Sequence, residues 1–401
     1  MKKGFLQRSV CVLCAAVFAV GLLSGFEEAD GTDDNMDFFE EGVVVTEAEV
    51  MEIPARSSIL MDAASGRVLF EQNADEPMPP ASITKIMTLL LTFEALESGT
   101  LQPGQMVVAS ENAASMGGTQ IWLEPGEEMA LEDVIKATAV NSANDAAMAL
   151  AEAVAGSETV FVQMMNDRAA ELGMKNTHFV NPTGLDADGH LSTARDIALM
   201  SRALMEHEEA LAYTSIWMDS LRGGETALVN TNKLVRFYSG CVGLKTGTTD
   251  GAGSCLSAAA TRNGLSLIAV SMGSDTSAER FTACRTLLDY GFSAFESYVP
   301  EVLPEELTPV KVSKGVASEV PIVCGEVSPV LIPKGRGGDV QKKLTLEAEA
   351  EAPVQQGQVM GKAVFTLDGE VLYEMTITAA ETVGQMDFWT AFKILWQRLL
   401  G

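Results

Sequence analysis

Histidine is scarce in this 401-residue sequence, and outside the first 25 residues no two cysteines form a CxxC pair. A zinc site needs about four nitrogen or sulfur ligands in regular spacing, so the sequence gives such a site almost no support. No metal or other cofactor is predicted. Beyond residue 25 the cysteines are scattered, and we expect free or buried thiols, although an oxidising compartment would permit disulfides. They are Cys241, Cys255, Cys284 and Cys324.

Basic residues are few: 27 Lys and Arg stand against 55 Asp and Glu, which gives a formal net charge of −28. A broad electrostatic attraction to nucleic acid or to anionic lipid is therefore not expected. Any anionic substrate must be bound by a local cationic pocket. The length exceeds that of one typical domain, so two folded units are predicted.

Charged residues are absent from the apolar run over residues 9–25, which follows Lys2, Lys3 and Arg8. This pattern predicts a signal peptide over residues 1–25 and therefore export from the cytoplasm. The run is shorter than the roughly 20 residues that span a bilayer comfortably, and an uncleaved anchor is the alternative. Residues 26–52 are rich in acids and contain no Lys or Arg, which predicts a flexible, solvated leader.

Hairpin signals at Ser65-Gly66 and Asn263-Gly264 flank a middle region with helical patterning. Strands at both ends of residues 53–296 predict an α+β domain in which helices pack on one antiparallel sheet. Residues 298–380 contain short Val-rich runs and an Asp368-Gly369 turn, which predict a small all-β domain.

Residues 385–401 have the pattern of an amphipathic helix with aromatic residues on and beside its apolar face. The apolar residues are Phe388, Trp389, Phe392, Leu395, Trp396 and Leu399, and the polar ones are Asp387, Lys393, Gln397 and Arg398. Such a helix is typical of a membrane interface, here the outer face of the cytoplasmic membrane. The alternative is a terminal helix docked on its own β domain.

Ser82 and Lys85 are three residues apart at the start of an apolar helical pattern, so both side chains project from one helix face. A serine hydroxyl is a weak nucleophile that needs a base, and a neutral lysine can serve if its pKa is depressed. Taken alone, the pair is better explained as a helix N-cap and a first-turn charge.

Two further motifs change this interpretation. Ser142-Ala143-Asn144 lies between two helical stretches, and Lys245-Thr246-Gly247 is predicted at the end of a strand, where Gly247 would let a substrate approach the backbone. A second Ser-x-Asn, Ser110-Glu111-Asn112, lies in a polar, loop-like stretch too near Ser82 in sequence and is rejected. Ser-x-x-Lys and Lys-Thr-Gly each occur once, in the order and wide spacing of the active-serine penicilloyl enzymes.

With these motifs the chain resembles the low-molecular-mass penicillin-binding proteins that are serine-type D-alanyl-D-alanine carboxypeptidases (peptidase family S11). The segments HFVNPTGLDADGHLSTARDIA and VGLKTGTTDGAGSCLSAAATRNGLSLIAV extend the resemblance, which runs from about Ile53 to the end of the chain. It implies the fold of the penicillin-binding-protein and β-lactamase transpeptidase domain, followed by the β domain and the terminal helix.

The resemblance implies a role for each residue. Ser82 would attack the carbonyl between two D-alanines of a peptidoglycan stem peptide, and Lys85 would accept its proton. Backbone N–H groups of Ser82 and Thr248 would form the oxyanion hole. The remaining roles are proton relay by Ser142 with Lys245, orientation of Lys85 and the substrate amide by Asn144, binding of the terminal carboxylate by Lys245 and Thr246, and close substrate approach at Gly247.

The resemblance also implies that β-lactams acylate the same serine. A class A β-lactamase is one alternative, but its E-x-x-L-N deacylation motif is absent between Asn144 and Lys245. A non-catalytic wall-binding or penicillin-sensing protein on the same fold is the other. Loss of a motif residue would favour that alternative, and none is lost.

Overall fold

The computed structural model describes residues 51–400, so the predicted signal peptide and nearly all of the predicted leader lie outside the described residues. Strands and helices alternate up to Ala294. The strands are β1 (Ser57–Asp62), β2 (Val68–Gln72), β3 (Met106–Val108), β4 (Glu128–Ala130), β5 (Met218–Leu221), β6 (Thr226–Val229), β7 (Cys241–Thr249), β8 (Gly253–Arg262) and β9 (Leu265–Ser274). The helices are α1 (Lys85–Glu97), α2 (Glu111–Ala114), α3 (Leu131–Val140), α4 (Asn144–Ala155), α5 (Glu158–Glu171), α6 (Ala194–Met205), α7 (Glu208–Thr214), α8 (Leu234–Phe237) and α9 (Ser277–Ala294).

Five of these strands form one antiparallel sheet in the order β2-β1-β9-β8-β7. The predicted turn at Asn263-Gly264 joins β8 to β9, and both residues have the positive φ values, 50° and 79°, that a tight two-residue hairpin requires. The first and last strands of this region thus meet in one sheet. The predicted α+β class is confirmed.

Helices cover both faces of the sheet. Alternating side chains of β1 point to opposite faces, so Ile59 belongs to a core that includes α1, α3, α4 and α6, whereas Leu60 packs with α9. Burial on both faces explains the continuous apolar runs of β8 and β9. Helix α1 lies deep in the first core, and ten of its residues are buried.

The rest of the chain is built from short strands. They are β10 (Phe295–Tyr298), β11 (Val310–Ser313), β12 (Glu319–Val320), β13 (Ile322–Cys324), β14 (Val330–Pro333), β15 (Gln341–Leu346), β16 (Glu349–Glu351), β17 (Val359–Leu367) and β18 (Glu370–Ala379). Asp368 and Gly369, both with positive φ, form the predicted turn between β17 and β18. A separate apolar core around Phe365 and Ile377 holds this all-β region together.

Strand β10 contains the predicted boundary between the two domains and pairs with β14, so backbone hydrogen bonds cross this boundary. The chain closes with α10 (Phe388–Leu400). Among the described residues, no helix combines the length and apolar character needed to cross a bilayer. The four cysteines beyond residue 25 are free thiols.

Candidate active site

Ser82 lies in a single 3-10 turn, Ala81–Thr84, that leads directly into α1 at Lys85. The turn and the first helical residue bring the two side chains to one side, and Lys85 Nζ is 3.0 Å from Ser82 Oγ. The Lys85 side chain is fully buried, whereas Ser82 remains partly accessible. The predicted proximity of this pair is therefore present, and neither residue is a surface cap or a surface charge.

Two further groups surround the Lys85 amine. Asn144 Oδ1 lies 2.6 Å and the Thr183 carbonyl oxygen 2.7 Å from Nζ. The orientation of the Asn144 amide is fixed because its Nδ2 donates to the carbonyl of Gly117 at 2.7 Å. Both acceptors therefore need a proton from Nζ. A neutral amine satisfies them with its two N–H bonds and keeps its lone pair for the Ser82 hydroxyl.

Burial lowers the pKa of Lys85 well below its ordinary value, and the charge of Lys245 lowers this pKa further. The carboxylate of Asp145 acts in the opposite direction. Asp145 is itself buried and accepts hydrogen bonds from the backbone N–H groups of Ile121, Leu123 and Ala146. The net effect favours the neutral lysine that a general base requires.

The loop that supplies the Thr183 carbonyl is organised by Asn181. Its Oδ1 accepts hydrogen bonds from the N–H groups of Thr183, at 3.1 Å, and Gly184, at 2.7 Å. No role was predicted for this loop, since a backbone carbonyl leaves no side-chain signature in the sequence. The Asn-Pro-Thr-Gly composition, which is typical of a tight turn, is the signal that could have located it.

His190 also holds this loop in place, through hydrogen bonds at its two ring nitrogens. Its Nδ1 accepts a hydrogen bond from Val180 N, so Nε2 carries the proton and donates to Thr84 Oγ1 at 2.8 Å. Burial lowers the pKa of His190 to about 4, so the ring is neutral at pH 7. His190 thus links residues next to Lys85 and Thr183, and it too was missed from the sequence.

Lys245, Thr246 and Gly247 lie in the interior of β7, so their predicted position at a strand end was wrong. The apolar pattern stops at Leu244, but backbone pairing with β8 continues as far as Thr249. Lys245 is buried, and this burial together with the charge of Arg280 lowers its pKa to about 7. Its Nζ donates to the carbonyl of Thr246 at 3.1 Å.

Gly247 packs against the turn that carries Ser82. A Cβ atom there would lie 2.9 Å from the Pro80 carbonyl oxygen and 3.0 Å from the Ser82 nitrogen. The absent side chain thus makes room for the protein's own backbone. The expected reason, close approach of a substrate, is not the one that the structure supplies.

Arg280 on α9 supports this strand from the sheet side and was not anticipated. It is 8% exposed, and its Nη1 donates to the Gly247 carbonyl at 3.1 Å and to Thr248 Oγ1 at 2.7 Å. Its Nε has no hydrogen-bond partner in the described structure. An arginine in a helical pattern, more than 30 residues after the motif it serves, gives no sequence signal of this role.

No hydrogen bond joins Ser82 to the remaining predicted residues of the described structure, Ser142, Thr246 and Thr248. Ser142 is nearly buried between α3 and α4, with a φ of 65° that turns the chain into α4. Thr246 Oγ1 lies 2.7 Å from Thr231 Oγ1, and Thr248 is exposed. The rejected Ser110 caps a short helix, α2, instead of lying in a loop. The described residues contain no group of three or more His, Cys, Asp or Glu side chains that could hold a metal ion.

Two family models match the chain: D-alanyl-D-alanine carboxypeptidase over residues 44–276, and penicillin-binding protein 5, C-terminal domain, over residues 303–385. The chain is 42% identical over 343 residues to the D-alanyl-D-alanine carboxypeptidase DacF of Bacillus subtilis (strain 168), a match that covers 84% of this chain and 88% of that protein. It is 38% identical over 348 residues to DacC of Escherichia coli (strain K12), covering 85% and 87%. The crystal structure of penicillin binding protein 5 from Haemophilus influenzae is similar, with a TM-score of 0.70 and 31% identity over 84% of this chain and all of that one.

Proposed function

Because the chain belongs to the D-alanyl-D-alanine carboxypeptidase family, we propose that Ser82 is its nucleophile and Lys85 its general base. The protein is a serine-type D-Ala-D-Ala carboxypeptidase that removes the terminal D-alanine from peptidoglycan stem peptides. One observation carries the assignment of roles: Lys85 Nζ is buried between two obligate acceptors and lies 3.0 Å from Ser82 Oγ.

In the acylation step, the Ser82 proton passes to Lys85 while Oγ attacks the carbonyl carbon between the two D-alanines. The oxygen of that carbonyl takes up negative charge, which the N–H groups of Ser82 and Thr248 stabilise. The position of Ser82 N next to Gly247 supports this pairing. The C–N bond then breaks, and the proton held by Lys85 passes through Ser142 and Lys245 to the nitrogen of the departing D-alanine, which returns Lys85 to its neutral form. Water then hydrolyses the ester on Ser82 and releases the shortened peptide.

Lys245 and Thr246 bind the terminal carboxylate, and Asn144 orients Lys85 and the substrate amide. Binding an anion beside Lys245 favours its protonated form, which opposes the burial that lowers its pKa to about 7. Gly247 keeps β7 close to the nucleophile. In this way a protein with a net charge of −28 captures an anionic substrate through one buried cation.

β-Lactams acylate the same serine in this proposal, because they mimic the D-alanyl-D-alanine end. Structures of penicillin-binding protein D2 from Listeria monocytogenes in ampicillin-bound and cefotaxime-bound forms support it. The first has 33% sequence identity and a TM-score of 0.55 over 60% of this chain.

The test is release of D-alanine from a diacetyl-Lys-D-Ala-D-Ala peptide, combined with labelling by a fluorescent penicillin. The wild-type protein is expected to release D-alanine and to be labelled by penicillin, and Ser82→Ala is expected to do neither. Ser110→Ala, which alters the other Ser-x-Asn motif, is the control and should retain both activities. Labelling by penicillin without release of D-alanine would favour the penicillin sensor. Rapid turnover of the label would favour the β-lactamase. Full activity of Ser82→Ala would contradict the mechanism.

Helix α10 attaches the protein to the outer face of the cytoplasmic membrane in our proposal. Its aromatic residues are exposed instead of docked on the β region: Phe388 and Trp389 are each 74% exposed. The rings of Phe392 and Trp396 stack at 6.0 Å. An exposed aromatic cluster of this kind suits the lipid headgroup region. Deletion of residues 385–401 should move the processed protein from the membrane fraction to the soluble fraction, and retention in the membrane would contradict the proposal.

We also propose export through residues 1–25, a leader over residues 26–52, a catalytic domain over residues 53–296 and a β domain over residues 298–380. The matches of separate family models to residues 44–276 and 303–385 support the division between the catalytic and β domains, and the first match begins within the proposed leader. Action on peptidoglycan requires a location outside the cytoplasm. N-terminal sequencing of the secreted or membrane-bound protein tests the signal peptide, which predicts that the mature chain begins near residue 26.

A further inference from the structure

Trp122 is the most exposed of the large apolar side chains in the described residues, with 77% of its surface accessible. Its φ is 59°, a left-handed value that a bulky residue adopts rarely. An indole in water contributes nothing to the core. A strained backbone that presents a large apolar side chain to solvent is typical of a binding site.

Two charged side chains, Asp145 and Arg222, hold the backbone around Trp122 in place. The buried carboxylate of Asp145 accepts the N–H groups of Ile121 and Leu123, each at 3.1 Å. In addition, Arg222 Nη1 donates to the Ile121 carbonyl at 2.9 Å, and its Nε donates to Glu127 at 2.8 Å. The indole is therefore displayed on a rigid segment.

This segment begins at the catalytic cleft. The Gly117 carbonyl accepts from Asn144 Nδ2, and the Thr119 carbonyl accepts from Asn144 N at 2.7 Å. Asn144 contacts Lys85, and the next residue, Asp145, accepts hydrogen bonds from the residues immediately before and after Trp122. With about 3.8 Å between consecutive Cα atoms, the Trp122 backbone lies on the order of 10 Å from Asn144. An extended peptide covers this distance in about three residues.

Acidic residues predominate along the chain around Trp122, and a basic side chain from another segment, Arg222, lies 3.5 Å from the Trp122 carbonyl oxygen and is paired with Glu127. Residues 86–135 contain no Lys or Arg. Acidic side chains follow Trp122 closely at Glu124, Glu127 and Glu128. An ammonium group near the face of an indole is attracted by the ring, and tryptophan is the strongest side chain for this contact. An indole also packs well on an aliphatic chain.

From these observations we propose that Trp122 binds the side-chain amine, with the aliphatic chain that carries it, of the stem-peptide residue just before the two D-alanines. The inference rests on the proposed function, because the substrate must occupy the Ser82 site. It adds a specificity: a stem peptide with a free amine at that residue is the preferred substrate. Trp122 selects this substrate and takes no part in the bond-making steps.

Two peptides that differ by one acetyl group provide the test: Nα-acetyl-Lys-D-Ala-D-Ala, with a free side-chain amine, and its diacetyl counterpart. Wild type should have the lower KM for the free amine, by about two- to fivefold, with a similar kcat. Trp122→Ala should raise the KM of the free-amine peptide to that of the diacetyl peptide. Trp122→Phe should retain part of the preference.

Trp389→Ala is the matched control, since this tryptophan is 74% exposed and lies on α10. It should leave both KM values unchanged. An equal loss on the two peptides in Trp122→Ala, or no preference in wild type, would overturn the amine assignment while the carboxypeptidase activity stood. Failure of wild type to release D-alanine from either peptide would instead contradict the proposed function.

Discussion

At Gly184 a single added carbon atom should reduce the rate of acylation far more than it reduces stability. A Cβ there would lie 1.9 Å from the Ala81 carbonyl oxygen and 2.9 Å from the Ser82 nitrogen. Because these are backbone atoms, no side-chain rotation can relieve the contact. Gly184 also follows Thr183, whose carbonyl is 2.7 Å from Lys85 Nζ.

The structure sets the scale of the effect. Real Cβ atoms essentially never approach other atoms closer than 3.0 Å, so in Gly184→Ala the two backbone segments must separate by about 1 Å. A displacement of this size in a catalytic group can reduce the rate about a hundredfold. The left-handed φ of 84° adds about 1–2 kcal/mol of strain to any non-glycine residue.

Gly189 in the same loop provides the control. Its φ is 80°, nearly that of Gly184, but a Cβ there would meet no atom within 4 Å. Gly189→Ala should therefore cost the same 1–2 kcal/mol of stability and leave the rate of acylation near that of wild type.

The assay is the rate of acylation by a fluorescent penicillin, measured with the thermal midpoint of unfolding. Gly184→Ala should lose about a hundredfold in acylation. If it acylated as fast as wild type, the inferred packing between the Thr183 loop and the Ser82 turn would be wrong. A Gly189→Ala variant as slow as Gly184→Ala would show that backbone strain alone accounts for the loss.

Three other perturbations follow from the same contacts. The pKa of Lys245 is about 7, and the proposed binding of the terminal carboxylate needs the charge of this lysine, so kcat/KM should fall above about pH 7. Arg280→Gln should raise this pKa and move the alkaline limb of the pH profile to higher pH. An unmoved limb would exclude Lys245 as the group that titrates. The pKa of His190 is about 4 in the folded state and 6.5 in the unfolded chain, so the folded protein holds this ring in its neutral form. The neutral ring therefore contributes on the order of 3 kcal/mol to the free energy of unfolding above pH 6.5, and this contribution is lost as the pH falls to about 4. Denaturant titrations measure the free energy of unfolding at pH 7 and at pH 4.5. The difference between these two values should be smaller for His190→Gln than for wild type, and an equal difference would contradict the role of His190. Gly247→Ala should slow acylation because its Cβ would crowd Pro80 and Ser82, and the exposed turn variant Gly369→Ala should not.

Much of the fold was predictable because it depends on local chemistry. Asn263-Gly264 and Asp368-Gly369 form the hairpin turns that their conformational preferences indicate. Ser82 and Lys85 meet because a separation of three residues in a helical turn places side chains together. The extent of β7 was not predictable in this way, since its last residues are polar and only pairing with β8 keeps them in the strand.

By itself, the sequence identified the residues that we propose as nucleophile, base and carboxylate-binding lysine, since reactive side chains must be encoded at fixed positions. Only the tertiary structure decided the surroundings that fit these residues to the proposed roles. The Thr183 carbonyl, the braced His190 and the buried Arg280 come from separate segments, and their effects depend on distance and burial. Lys85 is suited to act as a base because folding shields its amine from water and places two hydrogen-bond acceptors beside it, and the spacing of residues in the sequence indicates neither change.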